Sequence, residues 1–157
     1  MADTASNAQV TPLERYLTYR LHLISKITDK ASSDAYMNEL GLPVGAARCL
    51  AAIGTFAPLS VKELASRANL NKAQASRATQ SLLERGYVSK TDNQQDARGV
   101  VITLTDEGKA LWNQIMVLIE RRNAEIFGAL TPKERQQLGI ILDKLIAAHV
   151  PDEAAED

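Results

Sequence analysis

The chain has 157 residues, 18 Lys and Arg against 19 Asp and Glu, and a formal net charge of −1. At 45% apolar and 24% charged residues it fits neither a disordered nor a collagen-like class, and a chain of about 150 residues can bury a sizeable core without staples. Its best apolar stretch, Leu50 to Val61, is broken by Gly54 and Pro58, whereas a bilayer span needs about 18–20 nearly uninterrupted residues, so no membrane partner is expected.

Residues 1–10 are small and polar and carry Asp3 but no basic residue, unlike the start of a secretion signal. Residues 151–157 are acidic. Both ends are expected to be flexible tails around one folded domain, residues 11–150. The single Cys49 cannot form an internal disulfide, and a reducing cytoplasm is the expected location.

Helix starts are marked by Thr11-Pro12-Leu13-Glu14, Ser60-Val61-Lys62-Glu63 and Thr131-Pro132-Lys133-Glu134, each with the spacing of a capping box. The first predicted helix runs from Pro12 to about Ser32, with Leu13, Leu17, Leu21, Ile24, Ile27 and Ala31 on one face. A second follows Pro43 and carries Ala46, Ala47, Leu50 and Ile53 until Pro58. A third is short, Val61 to Ala68. The fourth spans Lys72 to Arg85, with Ala75, Ala78, Leu82 and Leu83 predicted inside, and Gly86 supplies the left-handed residue that ends it. The period then changes to that of strands. Tyr87–Thr91 and Val100–Leu104 are rich in β-branched residues and predict a hairpin, which must lean on the helices to be stable. Two more helices, Asp106 to about Phe127 and Pro132 to His149, complete a mainly α chain with a small β-hairpin wing.

Three helices followed by a hairpin, over residues 43–104, is the order of a winged helix-turn-helix module, in which one helix fits the major groove of double-stranded DNA and basic loops hold phosphates. The fourth helix suits the groove. Its outer side presents Lys72, Gln74, Ser76, Arg77, Gln80 and Ser81, with no carboxylate before Glu84, and a phosphate-lined groove repels carboxylates. Charge is partitioned in the same sense: Lys62 to Arg98 holds seven basic and four acidic residues, +3, leaving eleven basic and fifteen acidic, −4, elsewhere.

Leu70 to Val88 and, above all, Asp96-Ala97-Arg98 with Leu104-Thr105 and Gly108 resemble the multiple-antibiotic-resistance regulator (MarR) family, over about residues 12–149 in helix order. The resemblance implies a homodimeric transcriptional regulator, most often a repressor, that binds a pseudo-palindromic operator and releases it when a small effector binds. It implies that residues 11–32 and 106–149 form a helical dimerisation frame. Arg98 resembles the wing-tip arginine that enters the minor groove and Asp96 the carboxylate that braces the wing, while Ser76 and Arg77 fall where the recognition helix touches DNA. Lys72 and Gln74 join them from the polar face alone. Two bland readings stay open: Asp96 as a turn cap, and Arg77 as an ion pair with Glu84. Ala97 departs from the pattern, since many relatives carry a second basic residue there.

The family's effector pocket implies Tyr16, Tyr19 and His22 on the first helix and Arg48 on the second, a set suited to an aromatic carboxylate because Arg pairs both carboxylate oxygens. Arg48 in a structural ion pair is the competing reading. Cys49 raises a thiol-sensing alternative, against core packing. A protein-binding winged helix without DNA is the third class, and the donors Lys72, Gln74 and Arg77 argue against it. No hydrolase, zinc-protease or phosphate-loop motif is present, and one Cys with two distant His predicts neither an enzyme nor a metal or cofactor site.

Overall fold

The computed structural model describes residues 10–92, 95 and 97–150; the expected tails, Val10 aside, and Asp96 lie outside these residues. Among the described residues the elements are α1 (Leu17–Leu40), α2 (Val44–Phe56), α3 (Val61–Arg67), α4 (Lys72–Glu84), β1 (Val88–Asp92), β2 (Val100–Leu104), α5 (Asp106–Ile126) and α6 (Pro132–His149). None of these helices is long and apolar enough to cross a membrane.

Two of the three expected capping boxes form. Ser60 Oγ accepts from the Glu63 N–H at 3.2 Å while Glu63 Oε2 accepts from the Ser60 N–H at 2.7 Å, and Thr131 and Glu134 repeat the exchange at the start of α6. The box at Thr11 does not form. Pro12 and Tyr16 both hold extended backbone, so Leu13–Arg15 makes only a 3-10 turn and α1 starts at Leu17. No side chain of that turn is buried to hold a longer helix in place. At its other end α1 runs eight residues past the expected Ser32. A Lys30–Asp34 pair at 3.0 Å and the buried Tyr36 support the extra turns, and Gly41, at φ 63°, stops them by donating to the Met37 carbonyl.

The core of the lobe sits between α2, α3, α4 and β2. Ala47, Leu50, Ile53, Leu64, Leu82 and Ile102 are fully buried, and each Leu or Ile contributes about 1.5–3 kcal/mol by leaving water. On α4 the inner residues are Ala75, Thr79 and Leu82, whereas Ala78 and Leu83, expected inside, are half-buried. Thr79 can be buried because its hydroxyl donates to the Ala75 carbonyl at 2.7 Å. Between α3 and α4 the chain turns at Asn69, φ 55°, with the Leu70 N–H donating to the Ala65 carbonyl at 2.9 Å.

Gly86, at φ 75°, ends α4 as expected, and the Tyr87 N–H closes that turn on the Leu82 carbonyl at 3.0 Å. The Tyr87 N–H is thereby committed to the turn, while its carbonyl still accepts from the Thr105 N–H at 3.1 Å, and β1 begins at Val88, one residue later than predicted. β1 pairs antiparallel with β2 from Val88↔Leu104 to Asp92↔Val100. The hairpin leans on the segment before α3, where Leu59 and Ile102 exchange two backbone hydrogen bonds, 2.7 and 3.3 Å. Its root is fastened by Thr105, whose hydroxyl donates to the Gly86 carbonyl at 2.7 Å and accepts from the Gly108 N–H at 3.1 Å. A Cβ on Gly108 would collide with the Tyr87 carbonyl. The Leu-Thr and Gly of the wing motif are therefore a joint between wing and α5.

Residues divide into two compact units, Met1–Leu118 and Ile119–Asp157. In the first, Leu111, Ile115 and Leu118 of α5 are buried, and the Trp112 indole N–H donates to the Ala51 carbonyl of α2 at 3.2 Å, with Gly54 leaving room for the ring. In the second, Phe127, Leu138 and Leu142 line a depression with Asn123, Arg135 and Gly139.

Candidate nucleic-acid interface

α4 begins with a capping box of its own. Asn71 Oδ1 accepts from the Gln74 N–H at 2.8 Å, and Gln74 Oε1 accepts from the Asn71 N–H at 3.0 Å. Asn-Lys-Ala-Gln has the spacing of the other boxes, so Asn71 was legible in the sequence as the cap of α4. With one accepted bond committed to the cap, Gln74 keeps its amide N–H groups for a ligand.

Lys72, Gln74, Ser76, Arg77 and Gln80 are all exposed on α4, and Ser81 is half-buried. Arg77 does not pair with Glu84, which instead accepts from Gln80 Nε2 at 3.1 Å. Among the described residues Lys72 and Arg77 have no hydrogen-bond or ion-pair partner. This side of α4 is thus a row of donors ahead of one carboxylate, and that carboxylate is already occupied. Net attraction for an anionic surface follows without rearrangement.

Arg98 is held differently. Its Nη1 donates to the Pro58 carbonyl at 2.8 Å and lies 3.8 Å from Glu63 Oε2, so the guanidinium rests against the start of α3. These contacts join residues 35 and 40 positions apart, and no local pattern in the sequence announces them. Asp96, expected to brace the wing, is outside the described residues.

The four effector candidates do not share one environment. Tyr16 stands in extended backbone just ahead of α1, Tyr19 and His22 are exposed on its first turns, and Arg48 on α2 donates to Asp29 Oδ1 at 2.8 Å. The ion-pair reading of Arg48 is therefore realised, in a pair that keeps 36% and 60% of its side-chain surface in water. Cys49 is fully buried, and burial pushes its thiol up to about 11, well above the usual range. Among the described residues no group of three or more His, Cys, Asp or Glu is placed to hold a metal ion.

A family model described as MarR family matches residues 40–99, which hold α2 to α4 and the first wing strand, β1. The HTH-type transcriptional regulator PrsX of Escherichia coli is 32% identical over 94 residues, 60% of this chain and 56% of its own, so the chain spans little more than half of that relative. The HTH-type transcriptional regulator SarZ of Staphylococcus epidermidis is 31% identical over 101 residues, 64% of this chain and 68% of its own. Among solved structures, a MarR family transcriptional regulator from Silicibacter pomeroyi superposes with a TM-score of 0.77 at 27% identity, covering 90% of this chain and 95% of that one. A MarR family protein from Mycobacterium tuberculosis, in complex with p-aminosalicylic acid, does so with a TM-score of 0.69 at 25% identity, covering 83% and 98%. With two thirds of a curated relative matched above 30% identity and the MarR family model matched over residues 40–99, the chain belongs to the MarR family.

Proposed function

We propose that the protein is a DNA-binding transcriptional regulator that acts as a homodimeric repressor on a pseudo-palindromic operator. The observation that carries this reading is the donor row of α4, whose two cations have no partner among the described residues, in a helix that is otherwise tightly capped and packed. Lys72, Gln74, Ser76 and Arg77 meet the major groove, and Arg98 reaches the minor groove from the wing. Asp96 is the expected brace of that wing. The exposed apolar side chains of α1 and α6, Leu17, Leu21, Ile24, Ile141, Leu145 and Ile146 among them, are covered by a second copy. Residues 11–150 act as one regulator in which residues 43–104 read DNA. The relatives' names carry regulation and no catalysis, which supports a regulator over an enzyme.

The test is a titration of labelled duplexes, selected by the protein from a random pool, at two salt concentrations. Affinity should fall steeply with salt, by roughly 0.9 log units per phosphate contact per log unit of salt. Arg77→Ala should cost about 1–3 kcal/mol on the selected duplex, and Lys72→Ala should weaken all duplexes alike. Salt-insensitive binding, or no selection at all, contradicts the reading.

A small aromatic carboxylate is the proposed effector, which releases the DNA. The p-aminosalicylate complex of the mycobacterial neighbour supports this class of ligand. Arg48 would exchange the Asp29 carboxylate for that of the ligand, with Tyr16, Tyr19 and His22 supplying ring surface and hydrogen bonds. Calorimetry with benzoate-like and pyridine-carboxylate compounds should give heat that Arg48→Ala abolishes; uniform silence contradicts the proposal. Thiol sensing is the weaker alternative, because a buried, neutral Cys49 lacks the thiolate that oxidants attack.

A further inference from the structure

We infer that Glu63 sets the affinity for DNA by competing for Arg98. The inference rests on the reading of Arg98 as a groove contact. One guanidinium nitrogen, Nη1, both donates to the Pro58 carbonyl at 2.8 Å and faces Glu63 Oε2 at 3.8 Å. Neither acceptor is free to follow it. The same Glu63 oxygen accepts from the Ser60 N–H at 2.7 Å, which fixes it in the first turn of α3, and Pro58 adjoins Leu59, which is clamped to Ile102 by two backbone hydrogen bonds. Arg98 is the adaptable partner, a long side chain beside Gly99, which sits at φ 72°. To enter a minor groove, whose negative potential is strongest where A·T tracts narrow it, the guanidinium must leave the Pro58 and Glu63 oxygens. Glu63 is thus a positioning residue with a cost. It docks the wing arginine against the body of the lobe in the free protein, and it opposes transfer of the same arginine to DNA.

Both side chains are more than one third exposed, at 37% and 40%, so the competition is modest. An exposed ion pair of this kind corresponds to about a two- to five-fold change in affinity. The test compares wild type, Glu63→Gln, Arg98→Ala and the double variant on an A·T-rich duplex that the wild-type protein itself selects, with melting curves run alongside. Gln keeps an oxygen to accept the Ser60 N–H, so the α3 cap persists while the charge facing Arg98 is gone. Glu63→Gln should tighten binding about two- to five-fold in the wild-type background, and the gain should shrink toward one-fold once Arg98 is Ala. An equal gain in both backgrounds would mean that Glu63 acts on the phosphates directly and overturns the inference, as does no gain or a loss. If Arg98→Ala alone leaves affinity unchanged, it is the groove reading that fails. If Arg98→Ala weakens binding and Glu63→Gln does not tighten it, only the competition fails.

Discussion

In the winged lobe the apolar stripes are covered within the chain: Leu50, Ile53, Leu64, Leu82 and Ile102 are fully buried, and α3 and α4 both start in complete capping boxes. The helices α1 and α6 are built the other way round. Leu17 is 72% exposed, Leu21 56%, Ile141 54% and Ile146 59%, although Leu17 and Leu21 lie on the apolar face that the sequence periodicity picks out. Both regions are amphipathic, so periodicity alone does not separate them. The difference lies in what covers the stripe. In the lobe it is the neighbouring elements of the same chain, leaving a donor-rich outer face; on α1 and α6 the apolar face itself is left outward, where the proposed second copy of the chain would cover it.

The largest expected effect is on that unpartnered side. Ile141→Glu or Leu17→Glu should weaken self-association by at least about 3 kcal/mol, because a two-fold interface counts each change twice, with little loss of lobe stability. Sedimentation across a concentration series reads it; a wild-type species of 17.1 kDa at all concentrations would remove the contrast. Within the lobe, Gly108→Ala should destabilise by about 1–3 kcal/mol and by more than Gly54→Ala, since the Gly108 Cβ meets the Tyr87 backbone carbonyl, whereas the Gly54 Cβ meets a side chain, the Trp112 ring. Thermal melts of the two variants that show Gly54→Ala as the more damaging would contradict the joint assigned to Thr105 and Gly108. A smaller loss, about 1 kcal/mol, is expected for Asn71→Ala, which removes the α4 cap, and denaturant titration should detect it. Cys49 should show the least response: thiol alkylation of the native protein should be slow at neutral pH. Because the folded thiol titrates near 11 and the exposed one lower, stability should fall only as pH rises from the ordinary thiol range toward 11. Rapid native alkylation would reopen thiol sensing.

Much of this was legible from local chemistry. Thr131-Pro132-Lys133-Glu134 and Gly86 fix helix ends through hydrogen bonds that the chain makes within a few residues, and α6 and the end of α4 fall where those signals stand. The same signal at Thr11 fails because a cap helps only a helix that something else holds, and Leu13 stays 66% exposed. Thr79 was hidden for a different reason: a hydroxyl that bonds back to its own helix can be buried, and composition reads it as polar. The donor face of α4 was readable residue by residue. The tether of Arg98 to Pro58 and Glu63 was not, since it depends on the wing folding back across Leu59.

The central claim is that α4 of each copy reads one half of a symmetric DNA site. Hydroxyl-radical footprinting on a selected duplex measures this directly. Two protected half-sites about 10 bp apart, both lost in an Arg77→Ala variant that still melts and dimerises like wild type, are the expected result. A single asymmetric footprint, or one that Arg77→Ala leaves intact, would contradict it.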